Sequence, residues 1–171
     1  MRIMPPIHPA IVHYPVALMT FSVIADLLGY LTNSSSLQAA GTWALFGAGI
    51  GAAAAIITGL LDMKRAKLQH AAHKRVHVHM KVGLTLFVAI AGLIGWRWVV
   101  TLDPHHGLGW TYLIPAFVVL ALTFFQGWLG GELVFTDGVG VAPTGRGTES
   151  PADAKKRVSQ VGGGESGNSE D

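Results

Sequence analysis

Long apolar runs alternate with short polar stretches along this chain. The runs cover about 11–31, 42–61, 81–100 and 113–129. Each is long enough to cross a bilayer, which takes about 17–25 residues. Within the runs the apolar positions show no polar face, so the pattern predicts helices with lipid around them rather than a water-facing stripe. The stretches between them are short, which makes neighbouring helices antiparallel. The expected fold is all-α: an integral membrane four-helix up-down bundle over residues 1–141. From 142 to 171 Ala, Pro, Gly, Ser, Glu and Lys replace the apolar runs. That segment is expected to be a disordered polar tail, because it has too little apolar surface to offset its ordering entropy.

Composition agrees. Half of the 171 residues are apolar, 13% are charged, and mean hydropathy is +0.44. There is no cysteine. This excludes covalent c-type haem attachment, thiolate-held iron–sulfur clusters and disulfides. The first apolar run follows Pro5, Pro6 and Pro9 and has no A-x-A-like site, so it reads as a retained anchor and not as a cleavable signal. Basic residues are unevenly spread. Lys64, Arg65, Lys67, Lys74, Arg75 and Lys81 lie in or beside the second loop, whereas the first and third loops have neither Lys nor Arg. The positive-inside bias then places the second loop and both termini in the cytoplasm. Topology accounts for the basic loop fully, so nucleic acid is not an expected partner; the lipid bilayer is.

Two further patterns bear on packing. Gly47, Gly51, Ala55 and Gly59 recur every four residues on the second span. Such a stripe admits a close neighbour, either inside the bundle, the preferred reading, or in a homo-oligomer. Tyr30, Trp43, Trp96, Trp98, Trp110 and Tyr112 fall at the expected outer interface, where amphipathic rings favour the boundary. Arg97 is expected to snorkel outward beside them. Asp26 reads as an interhelical or interfacial residue.

Candidate chemistry concentrates at the opposite, basic end. Six of the eight histidines flank it: His8, His13, His70, His73, His77 and His79. Imidazole is the commonest metal ligand and titrates near neutral pH. Pro15 lies within the first span and cannot donate to the Ile11 carbonyl, so it should loosen the helix and reorient His13. If the third helix starts early, His70, His73 and His77 form a wet stripe while His79 points into the bundle. Asp62 is placed to orient a histidine or to pair with Lys64 or Arg65. The glycines from Gly127 to Gly131 permit a sharp exit from the fourth span and close backbone approach, leaving Glu132 at the same end. No H-E-x-x-H is present, so a zincin-type hydrolase has no support.

Bundles build cofactor sites from side chains on facing helices. The leading expectation is therefore a b-type haem protein that passes electrons, with a redox partner or quinone. His13 and His79 are its preferred axial pair, and His8 and His77 are reserves. The alternative is divalent-metal binding by His13, His79, Asp62 and Glu132. A third is a structural or assembly subunit with no cofactor.

Three blocks carry a family resemblance. They are H-P-x-x-V-H-Y-P at 8–15, the Gly59-x-x-Asp62 exit with a histidine opening the third span, and G-G-E-L-V-F at 130–135 followed by G-V-G-V. Together they resemble the bacterial membrane family called domain of unknown function 2231, over about residues 7–141. The resemblance implies a four-helix membrane protein with no assigned reaction. Some relatives are fused to cytochrome-type domains, which implies redox company. Many relatives place a histidine before the final G-x-G-V, where this chain has Asp137.

Overall fold

The computed structural model describes residues 7–65, 70–102 and 108–136. All its regular structure is helical: α1 (His8–Ile11), α2 (His13–Thr32), α3 (Ser35–Arg65), α4 (His70–Leu102) and α5 (Trp110–Phe135). With α1 and α2 counted together, four helical stretches are long and apolar enough to cross a membrane. The expected tail at 142–171, Asp137 and the G-V-G-V stretch lie outside the described residues.

The helices outrun the apolar runs at several ends. Polar residues at the ends of a span continue its helix, because the backbone remains best satisfied there even outside the hydrocarbon. The first loop shrinks accordingly to Asn33 and Ser34. Asn33 adopts the left-handed conformation (φ 52°, ψ 34°) and closes α2, while Ser35 opens α3. Asparagine tolerates that conformation better than most residues.

α2 packs on α3 and α5, and α4 packs on the same two helices. The bundle is thus a closed ring, with α2 opposite α4 and α3 opposite α5. Met19 and Val23 of α2, Leu45 and Ala48 of α3, Leu86 and Ile90 of α4, and Leu113 and Ala116 of α5 fill its centre. The outside is equally apolar: Ile50, Val88, Ile114 and Phe124 are all more than half exposed. A bundle apolar both inside and out is stable in lipid, where every backbone group must be paired within its own helix.

Pro15 has the predicted effect. The helix is interrupted at Val12, between α1 and α2. Pro15 itself is buried against Gly51, where an added Cβ would stand 3.0 Å from its Cδ. A Cβ at Gly47 would stand 3.0 Å from Leu18, and one at Gly59 would stand 3.1 Å from His8. The small-residue stripe of α3 is therefore occupied within the bundle, by α1 and α2. Gly51→Leu is expected to destabilise the fold by about 1–3 kcal/mol, the usual cost of overpacking. A lowered midpoint in reversible detergent unfolding would register it.

Candidate functional site

The basic end of the bundle is organised around His8. α1 is only four residues long, and no side chain of its own caps it. Asp62 supplies the cap from α3 instead: the His8 backbone N–H donates to its Oδ2 at 2.9 Å. The His8 ring lies against α3 at Gly59, and its Nδ1 donates to the Ala55 carbonyl at 2.7 Å. A backbone carbonyl can only accept, so this contact places a proton on Nδ1; in the neutral ring Nε2 is then the nitrogen with a lone pair. Asp62 thus holds the backbone of His8, and Ala55 selects its tautomer.

His79 reaches the same place from α4. Starting the helix at His70 turns His79 inward and leaves His77 exposed, as the helical spacing predicts. Gln126 of α5 contacts it. Its amide nitrogen donates to the His79 carbonyl at 3.1 Å and stands 3.2 Å from each ring nitrogen. Gly83 makes room for that amide, since a Cβ there would lie 2.9 Å from it. Gly130 makes room for the ring, since a Cβ there would lie 3.3 Å from the His79 Cε1. The Gln126 Oε1 is buried with no hydrogen-bond partner among the described residues.

His8 and His79 therefore meet across the diagonal of the ring, each opposite a glycine of a flanking helix. Their ring centres are 6.1 Å apart and their planes perpendicular. The remaining expected site residues stand apart from this pair. His13, which was expected to pair with His79, is exposed: the interruption at Val12 turns His8 inward and His13 outward. Glu132 lies 3.8 Å from Arg75 in a half-exposed ion pair. The side chains of His70 and His73 lie outside the described residues. Among the described residues no three His, Cys, Asp or Glu side chains gather as a metal-holding group, and the expected set His13, His79, Asp62 and Glu132 forms none.

The expected sharp exit near Gly127–Gly131 is absent. α5 continues through it to Phe135. Gly130 serves the approach of His79, a tertiary need that local helix-ending rules do not register.

A second polar constellation sits at the opposite end, where Asp26 was expected to be interhelical or interfacial and proves interhelical. Asp26 of α2 and Arg97 of α4 are both buried and form an ion pair, Nη2 to Oδ1, at 2.9 Å. Arg97 also donates to the Thr42 hydroxyl at 2.9 Å and to the Gln38 carbonyl, both on α3. Its guanidinium lies 5.2 Å from the ring centre of Tyr112 on α5. Gly41 leaves the space that Asp26 occupies, and its carbonyl accepts from Ser22 at 2.8 Å. Arg97 thus does not snorkel, and Tyr112 is a core residue and not a boundary anchor. One arginine ties all four spans together. The signal was the presence of single opposite charges at one depth on two spans.

Residues 4–143 match the family described as Predicted membrane protein (DUF2231). No curated protein matches the chain. No solved structure matches it either.

Proposed function

The chain belongs to the DUF2231 family of predicted membrane proteins, and from that premise we propose that it is a haem-b-binding electron carrier of a bacterial inner membrane, with His8 and His79 as the residues that would hold the haem. The observation that carries this reading is the meeting of those two imidazoles across the bundle diagonal, each in a glycine-lined recess. Imidazole ligates haem iron, and noncovalent haem b needs no cysteine. When bound, the haem supplies one-electron chemistry. The protein's part is ligation and control. Asp62 fixes the backbone of His8, the Ala55 carbonyl holds its Nδ1, and Gln126 contacts His79. Such outer partners set ring orientation and ligand basicity. His13 and His77 have no part in this site.

The test is an absorption spectrum of detergent-purified protein from haem-supplied cells, with metal analysis run beside it. A Soret band with iron in proportion to haem is the expected result. Zinc, nickel or copper without a Soret band would favour the divalent-metal reading, and neither haem nor metal with a co-purifying protein would favour an assembly subunit.

The basic residues around the second loop support a cytoplasmic side for that loop and both termini. Cysteine introduced at Ser35 is expected to react with an impermeant maleimide in intact cells, and cysteine at Ala72 only after lysis. Labelling of Ala72→Cys from outside would invert the orientation and move the His8–His79 pair to the other face.

A further inference from the structure

A furrow runs down the outside of the bundle between α3 and α4. At its deep end it widens into an open recess of about 260 Å³, walled by Phe46, Ile50 and Ala53 of α3 and Phe87, Ala91 and Ile94 of α4. These walls are wholly apolar. From there toward the basic end each helix carries one largely exposed stripe. On α3, Ile50, Ala53, Ile57, Leu61 and Lys64 follow at spacings of three and four. On α4, Ala91, Val88, Leu84, Lys81, His77 and Lys74 do the same, and all six are exposed. Residues so spaced share one helix face. Both stripes therefore turn from aliphatic to cationic at the same end, and neither carries an Asp or Glu.

We propose that this furrow binds an anionic phospholipid of the basic-side leaflet, its headgroup held by Lys64, Lys74 and Lys81 and one acyl chain ending in the recess. Length decides in favour of a lipid. At the helical rise, Ala53 and Lys64 stand about 16 Å apart along α3. Half of a hydrocarbon core is about 15 Å thick, so the recess lies near the bilayer centre when the lysines lie at its edge. A chain that starts at the lysines and stays in its own leaflet ends where the recess opens. Charge decides the headgroup: basic recesses at the ends of membrane helices attract anionic headgroups, and long lysine stems reach them along an apolar wall. The acids of this end are engaged elsewhere, Asp62 with the His8 amide and Glu132 with Arg75. The site is separate from the His8–His79 pair and stands whether or not haem binds there.

The test is native mass spectrometry of the full-length protein released from detergent, titrated with phosphatidylglycerol or with phosphatidylcholine of the same chains. The wild-type protein is expected to retain phosphatidylglycerol preferentially. Lys64→Gln, Lys74→Gln and Lys81→Gln are each expected to weaken that retention by about fivefold, leaving phosphatidylcholine unaffected. Ala53→Phe fills the recess and is expected to weaken both lipids, and Ala53→Leu is a milder filling should the larger ring impair folding. Equal retention of the two lipids by the wild-type protein would overturn the proposal. So would unchanged retention in both Ala53 variants, or a dimer mass that Ala53→Phe abolishes, which would assign the furrow to a second copy of the chain.

Discussion

Arg97→Ala is expected to destabilise the bundle by about 3–5 kcal/mol, the loss seen when one partner of a buried ion pair is removed. The substitution leaves the Asp26 carboxylate buried, with its cation gone. It also removes a donor from the Thr42 hydroxyl and from the Gln38 carbonyl, and lifts a cation off the Tyr112 ring. Every one of these partners is on a helix other than α4. The loss is therefore felt as separation of helices and not as local unwinding. Asp26→Ala is expected to cost as much, because a guanidinium is then buried without its anion. Asp26→Leu combined with Arg97→Met is expected to recover most of the loss, since apolar groups of similar volume often replace a buried pair without penalty. Midpoints of reversible unfolding in mixed micelles, taken for the two single variants and the double variant, measure the coupling. Additive losses would show that Asp26 and Arg97 act independently and that the clamp across four spans is not a unit.

The two ends of the molecule hold different polar groups. At one end a charged pair is enclosed by core residues. At the other, two imidazoles meet beside the Gln126 amide.

How much of this was legible in the sequence follows from which rules are local. The four spans were legible because lipid demands continuous apolar runs. Their ends were less so, since the helices at Ser35 and at His70 continue through polar residues that hydropathy assigns to loops. The inward turn of His79 was legible from helical periodicity, because it depends only on where α4 begins. The inward turn of His8 was not. Pro15 announces a disturbance near Ile11, but its direction depends on where the ring of Pro15 seats, and that seat is Gly51 on another helix. The same limit applies to Gly130, which reads locally as a helix ending and serves instead to admit His79. Asp26 and Arg97 were visible as charges at matching depth, and Asp26 was open to an interhelical role; treating Arg97 as a snorkelling residue concealed that they neutralise each other.

The pair at the basic end gives the second large effect. His8→Ala and His79→Ala are each expected to abolish most of the haem bound, because each removes one of the two imidazoles that would hold it. His13→Ala and His77→Ala are expected to leave haem content unchanged, since both side chains face away from the pair. Gly130→Leu is expected to behave like His79→Ala while retaining both histidines, because its side chain occupies the recess of the His79 ring. Such a result separates loss of the ligand from loss of its position. Asp62→Ala is expected to lower haem content only in part, as it frees the backbone of His8 without removing the imidazole.

The measurement that bears most directly on the account is haem content per protein, read from the Soret absorbance of His8→Ala, His79→Ala and His13→Ala purified side by side with the wild-type protein. The account predicts a Soret band in the wild-type protein and in His13→Ala, and its near-complete loss in His8→Ala and His79→Ala. A wild-type protein that binds no haem under adequate supply, or haem that survives His8→Ala and His79→Ala, would contradict it.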